Sequence, residues 1–176
     1  MELAKVIKHI RDREYMSGIE REKSRVKSTG EIFTPTPLVQ EILEKLPQDQ
    51  FRDPSKTFLD PSCGDGQFLG EIIIKKMENG STFKQALETT YGVDLMLDNV
   101  ELCRDRLLCG QEQYRNTVQN NIVNEDALVY DYSFDGTWEE TKKGLQKIQK
   151  VKEDRDKRIA EKRAITAERC YSNMFE

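Results

Sequence analysis

Leu3, Val6, Ile7 and Ile10 fall at i, i+3, i+4 and i+7, so the chain begins with an amphipathic helix. Ser17-Gly18 punctuates its end, and Arg21–Lys27 is a charged stretch expected to fray. Thr34-Pro35-Thr36-Pro37 is extended, because each residue before a proline is pushed out of the α region. Thr36 is suited to cap a helix with Pro37 at its first position. That helix carries Leu38, Val39, Ile42, Leu43 and Leu46 and stops at Pro47. Lys56–Asp60 predicts a short buried strand, Ser62–Gly66 a glycine-rich turn, and Gln67–Glu78 a helix ending at Asn79-Gly80. Ser81 is placed to cap a further helix reaching Glu88. Thr90–Asp94 predicts a second strand, Leu97–Leu108 a helix with Val100, Leu107 and Leu108 inward, and Thr117–Val123 a third strand. Strands alternating with helices predict an α/β fold, a parallel sheet flanked by helices. After Asp135-Gly136 the pattern changes. Thr137–Arg169 has no proline, one glycine and sparse apolar residues, and predicts a long charged helix.

Composition bears on how much of this packs. The 176 residues suit one domain. Charged residues make up 34%, against about 25% in an average globular domain. The apolar content is correspondingly low, so either the core is small or part of the chain lies outside it. No apolar stretch approaches the ~20 residues of a membrane span, and Met1–Ile10 has no signal-peptide apolar region. The cysteines Cys63, Cys103, Cys109 and Cys170 form no CxxC pair, and His9 is the one histidine. Zinc-site spacing is therefore absent, and the expectation is a reduced, cytoplasmic protein.

The net charge of −4 conceals a pattern. Residues 1–30 carry a net +3, residues 31–138 a net −10, and residues 139–176 a net +3. An acidic middle suits a cationic small ligand, whereas basic flanks suit phosphate. Ordinary solvated helix surface is the alternative for the flanks, and the more frequent cause of such charge runs.

Four short segments carry candidate chemistry. Phe58-Leu59-Asp60-Pro61-Ser62-Cys63-Gly64-Asp65-Gly66-Gln67-Phe68-Leu69 runs from a strand through a glycine turn into a helix. Gly64 and Gly66 there leave backbone open to a ligand lying beyond the carboxyl ends of the strands; a plain strand–turn–helix is the alternative. In Tyr91-Gly92-Val93-Asp94, Asp94 is placed either to accept from two ribose hydroxyls or to cap the following helix. In Asn124-Glu125-Asp126-Ala127-Leu128, Asp126 is either an acceptor for an exocyclic adenine amine or a loop carboxylate. In Gly30-Glu31-Ile32-Phe33-Thr34-Pro35, the prolines fix a segment that either folds over a ligand or links into the next helix.

Together, the order and spacing of these segments resemble the cofactor half of class I (Rossmann-like) DNA adenine-N6 methyltransferases. The resemblance covers residues 30 to 135. Phe33, Thr34 and Pro35 match that family's methionine-binding motif, and Asp60 through Leu69 match its main S-adenosylmethionine motif. Asp94 matches the ribose motif, and Asp126 matches the adenine-contacting motif. The resemblance implies an S-adenosylmethionine site from Phe33, Thr34, Pro35, Asp60, Ser62, Cys63, Gly64, Gly66, Asp94, Leu95, Asp126 and Ala127. Within it, Asp60 orients the amino group and Cys63 is a small packed residue. The implied organisation is a basic helical segment at 1–29, the cofactor domain at 30–136 and a charged helix at 137–176. The implied sheet is truncated, with strand order 3-2-1.

One departure limits what the resemblance implies about activity. The family transfers the methyl group at an N/D-P-P-Y/F motif, whose aromatic residue stacks on the flipped base. The prolines here are Pro35, Pro37, Pro47, Pro54 and Pro61, so no such motif occurs. Asn173-Met174-Phe175 has no proline and is not a remnant of it. Three readings follow: a cofactor-binding portion that needs a partner or a missing region for methyl transfer to DNA, a non-catalytic S-adenosylmethionine-binding regulator or inhibitor, or an enzyme that consumes the cofactor without a DNA acceptor. Expected partners are DNA through the basic flanks, and a protein or second copy that completes the sheet beside strand 1.

Overall fold

The computed structural model describes residues 1–12, 34–135, 137–138 and 142–172. The expectations for Ser17-Gly18, Arg21–Lys27, Phe33 and Asn173–Phe175 lie outside the described residues. The chain divides into two compact units, Met1–Ala127 and Leu128–Glu176.

In the first unit, helix α1 spans Leu3–Arg11, α2 Thr36–Glu44 and α3 Asp49–Arg52. Strand β1 (Phe58–Asp60) follows, then α4 (Gln67–Glu78), α5 (Phe83–Glu88), β2 (Thr90–Asp94) and α6 (Leu97–Leu108). A 3-10 turn at Glu112–Tyr114 leads into α7 (Arg115–Asn121) and β3 (Ile122–Asn124). The strands form one parallel sheet in the order β1-β2-β3, which is the expected order read from the other edge.

Helix α4 is the centre of the unit. Leu69, Ile72, Ile73 and Ile74 are buried around its circumference, as befits a helix enclosed on several sides. It meets α1, α2 and α3 as well as β1 and β2. Its buried polar groups tie these neighbours down. Glu71 accepts from Arg11 Nε at 2.9 Å and Nη2 at 2.8 Å, and from Gln40 Nε2 at 3.0 Å. The ammonium of Lys76 donates to the Lys56 carbonyl at 2.5 Å and to Thr89 Oγ1 at 2.6 Å. Burial holds that ammonium below the usual lysine range. Val6 and Ile10 of α1, and Val100, Leu107 and Leu108 of α6, are buried as the periodicity predicts.

Several expectations need correction. The third strand is only Ile122–Asn124, because residues 115–121 are helical. The β-branched Thr117, Val118, Ile122 and Val123 suggest a longer strand. However, Val118 and Asn121 sit one helical turn apart and both are buried. The Asn121 amide donates to the Leu87 and Thr90 carbonyls, which fixes that turn. Strand β1 is shorter than expected and is not buried. Leu59 is 47% exposed, because among the described residues β1 pairs with β2 alone. Thr82, not Ser81, caps α5: its hydroxyl accepts from the Gln85 N–H, and the Gln85 side chain accepts from the Thr82 N–H. Pro35 takes the cap position of α2, with Thr36 as the first helical residue. Leu38, Ile42 and Leu46 are substantially exposed, so only Val39 and Leu43 anchor that helix.

In the second unit, Tyr130 packs its ring edge-on against Tyr132, Phe134 and Trp138. Helix α8 spans Lys142–Ser172. None of the described helices is long and apolar enough to cross a membrane.

Candidate cofactor site at the carboxyl ends of the strands

Parallel pairing brings three strand ends to one edge of the sheet. Asp60 ends β1, Asp94 ends β2 and Asn124 ends β3. The register places Asp60 opposite Gly92, and Asp94 opposite Asn124. Segments far apart in sequence therefore emerge side by side, where ligands of such sheets bind.

The turn after β1 is held by its neighbours. The Cys63 N–H donates to the Val93 carbonyl at 3.0 Å, and the Gly66 N–H to the Cys63 carbonyl at 2.9 Å. Gly66 has φ +86°, a left-handed conformation that glycine adopts without strain. A Cβ on Gly66 would lie 2.7 Å from Cys103 Sγ. The glycine at 66 is thus required by α6 packing against the turn, and open backbone for a ligand is not what the missing side chain provides. A Cβ on Gly92 would likewise lie 2.9 Å from Cys63 Sγ. Cys63 is buried in this packing. Its thiol is pushed above the usual range, first by the hydrogen bond with Cys103 and then by burial. Cys63, Cys103 and Cys109 are all buried.

Asp94 is the hub. Its Oδ2 accepts from the Gly64 N–H at 2.9 Å, which bonds β2 directly to the glycine turn. Its Oδ1 accepts from the Met96 N–H at 2.8 Å and from Asn99 Nδ2 at 3.3 Å. Three of the carboxylate's roughly four acceptor sites are therefore taken within the protein. The Asp94 carbonyl accepts from the Glu125 N–H at 3.1 Å and from Asn124 Nδ2 at 3.0 Å. The same Asn124 amide donates to the Leu95 carbonyl at 3.0 Å, which joins the β2 and β3 exits.

Asp60 differs. It is partly buried, and its Oδ1 accepts from the Ser62 N–H at 3.0 Å. Burial pushes its carboxyl above the usual carboxylate range, the Ser62 N–H pulls the other way, and the Asp94 charge adds to the rise. A carboxyl in that state gains most from a cation placed beside it. Leu95 and Leu97, just past Asp94, are 44% and 54% exposed and give this edge an apolar surface. Asp126 and Ala127 are partly buried just past β3. Thr34 and Pro35 lead into α2. Among the described residues, no three His, Cys, Asp or Glu side chains group to hold a metal ion.

The sequence pattern missed the residues that lock this edge in place. Arg106 is buried and donates through Nε to the Asp65 carbonyl at 2.9 Å and through Nη2 to Asp65 Oδ2 at 2.6 Å. Its Nη1 reaches the Ile10 carbonyl of α1 at 3.3 Å. Asn99, Cys103 and Arg106 fall at i, i+4 and i+7, so they share the face of α6 that meets the turn. That spacing is the signal that points to them.

Residues 17–153 match the family model described as N-6 DNA methylase. No solved structure matches the chain. The family match spans well over half of the sequence and contains the whole strand-end site, and on that basis the chain belongs to the N-6 DNA methylase family.

Proposed function

We propose that this chain binds S-adenosylmethionine at the carboxyl ends of β1, β2 and β3, as the cofactor-binding part of a DNA adenine-N6 methyltransferase. The observation that carries the reading is that Asp60 and Asp94 end adjacent parallel strands, with Asp60 held above the usual carboxylate range. The residues fit a ligand with a cationic end and a flat aromatic end. Asp60 Oδ2 accepts no hydrogen bond from the described residues and would face the amino group. The remaining acceptor site of Asp94 suits a ribose hydroxyl, and a second hydroxyl would compete with Gly64 for Oδ2. Leu95 would lie against the adenine, with Asp126 and Ala127 at its amine edge. Ser62, Cys63, Gly64 and Gly66 supply the turn backbone around the methionine end, and Thr34 and Pro35 would close over it. When bound, the cofactor supplies an electrophilic methyl group on a sulfonium.

Methyl transfer also needs a group that holds the target amine, and the sequence contains no N/D-P-P-Y/F segment. The proposal therefore places that step on chain outside these residues or on a partner. Among the described residues β1 pairs with β2 alone, which favours a partner, or a second copy, that continues the sheet there. The missing segment equally suits a cofactor-binding regulator, or an enzyme that consumes the cofactor. Calorimetry tests the binding reading. One cofactor should bind per chain, and Asp94→Ala should weaken binding at least tenfold; no detectable binding at millimolar cofactor would overturn it. Labelled-methyl incorporation into DNA, with and without candidate partners, separates the first reading from the regulator. Cofactor breakdown without an acceptor identifies the third.

A further inference from the structure

Helix α8 carries a charge asymmetry that the cofactor site does not use. Between residues 147 and 162 it has seven basic and four acidic side chains, all exposed. At about 100° per residue, Lys147, Arg158, Lys162, Arg155 and Lys152 fall within one arc of about 140°. Ile148, Val151 and Ile159 share that arc. Glu153, Asp154, Asp156 and Glu161 all fall on the rest of the circumference, with Lys150 and Lys157. The basic face runs about 23 Å along the helix at 1.5 Å per residue. At its start, the Lys147 ammonium lies over the Trp138 ring at 6.0 Å, which keeps the charge on this face.

We infer that this face of α8 is a contact surface for the phosphate backbone of duplex DNA. A duplex presents about one negative charge per 1.7 Å of its axis, far denser than the five positive charges of the face, so phosphates are available along its whole length. A second copy of the helix is the wrong occupant. Face to face, two copies would oppose like charges. Ile148, Val151 and Ile159 also leave out the apolar positions that a continuous heptad seam requires. The contact is blind to sequence, because exposed lysines and arginines on one helical face read charge and not base edges. It rests on the reading of DNA as the substrate class and gives the chain a grip on DNA independent of any base-specific region.

The test is anisotropy of a labelled duplex with the full chain, read as the logarithm of affinity against the logarithm of salt from about 50 to 200 mM. Each phosphate contact contributes about −0.9 to that slope. The combined Lys152→Gln, Arg155→Gln, Arg158→Gln variant should flatten the slope by about 2.5 to 3. Lys150→Gln with Lys157→Gln, off the face, should leave it unchanged. Glutamine is a good helix former, and circular dichroism checks that α8 persists. Equal slopes for the two variants would overturn the inference, as would a wild-type chain that does not bind DNA. Sedimentation showing a dimer lost in the triple variant, with the slope unmoved, would assign the face to self-association and also overturn it. Calorimetry with S-adenosylmethionine on the same proteins keeps the proposals apart. Cofactor binding without a slope change sinks only this inference, and a slope change without cofactor binding sinks only the cofactor reading.

Discussion

Replacing Arg106 by alanine tests whether the cofactor turn is held by one buried ion pair. The Arg106 and Asp65 side chains are 6% and 9% exposed. The guanidinium makes three hydrogen bonds, two to Asp65 and one to Ile10. Truncation takes the Arg106 guanidinium from the buried Asp65 carboxylate, a loss of about 3–5 kcal/mol. Native domains are stable by about 5–15 kcal/mol, so about a fifth or more of the total is at stake. For a chain of this size about 2–4 °C follows each kcal/mol, which places the fall in melting temperature at about 6–20 °C. Urea unfolding monitored by circular dichroism supplies the free energy. Arg106→Lys should recover little, since an ammonium cannot hold Asp65 through two atoms and also reach Ile10. Asp65→Leu with Arg106→Met should lose much less than Arg106→Ala, because no charge is then stranded. A loss below about 1 kcal/mol for Arg106→Ala, or a double variant worse than the single one, would refute the reasoning, since a buried pair must show coupling.

Two further outcomes follow from the same edge of the sheet. Gly66→Ala should destabilise by about 2–4 kcal/mol in thermal melts, from the left-handed backbone and the clash with Cys103. Adding Cys103→Ala should restore part of that, and full tolerance of Gly66→Ala would contradict the geometry. Asp60→Asn should stabilise the protein at neutral pH. The folded-state pKa of Asp60 is raised, so its contribution to stability is complete below the unfolded value of 3.8 and is lost as pH rises through the folded value. The advantage of the asparagine should therefore shrink as pH falls toward 3.8, and an advantage independent of pH would be the wrong result. The same variant should weaken S-adenosylmethionine binding.

The local segments were legible where pattern and chemistry agree. The spacing of Leu3, Val6, Ile7 and Ile10, and the run from Gln67 to Glu78, placed α1 and α4. Short strands bounded by Asp60 and Asp94 placed the acidic residues at strand ends. Thr82-x-x-Gln85 also carried its own capping signal, which Ser81 beside it obscures. The stretch at 117–123 misled, because β-branched residues suit a strand on propensity alone, and the fold of α7 is set by where Val118 and the Asn121 amide can be buried.

The sequence by itself determined the alternation of strands and helices, the acidic strand ends and the separation of a charged segment from an acidic middle. These are properties of neighbouring residues, and period and turn chemistry record them. Only the tertiary structure decided that Asp94 bonds the Gly64 turn, that Gly66 is a glycine because Cys103 packs against it, and that Arg106 is buried on Asp65. Each joins residues at least thirty positions apart, and a polar side chain on a helix reads as exposed until the partner that buries it is in place.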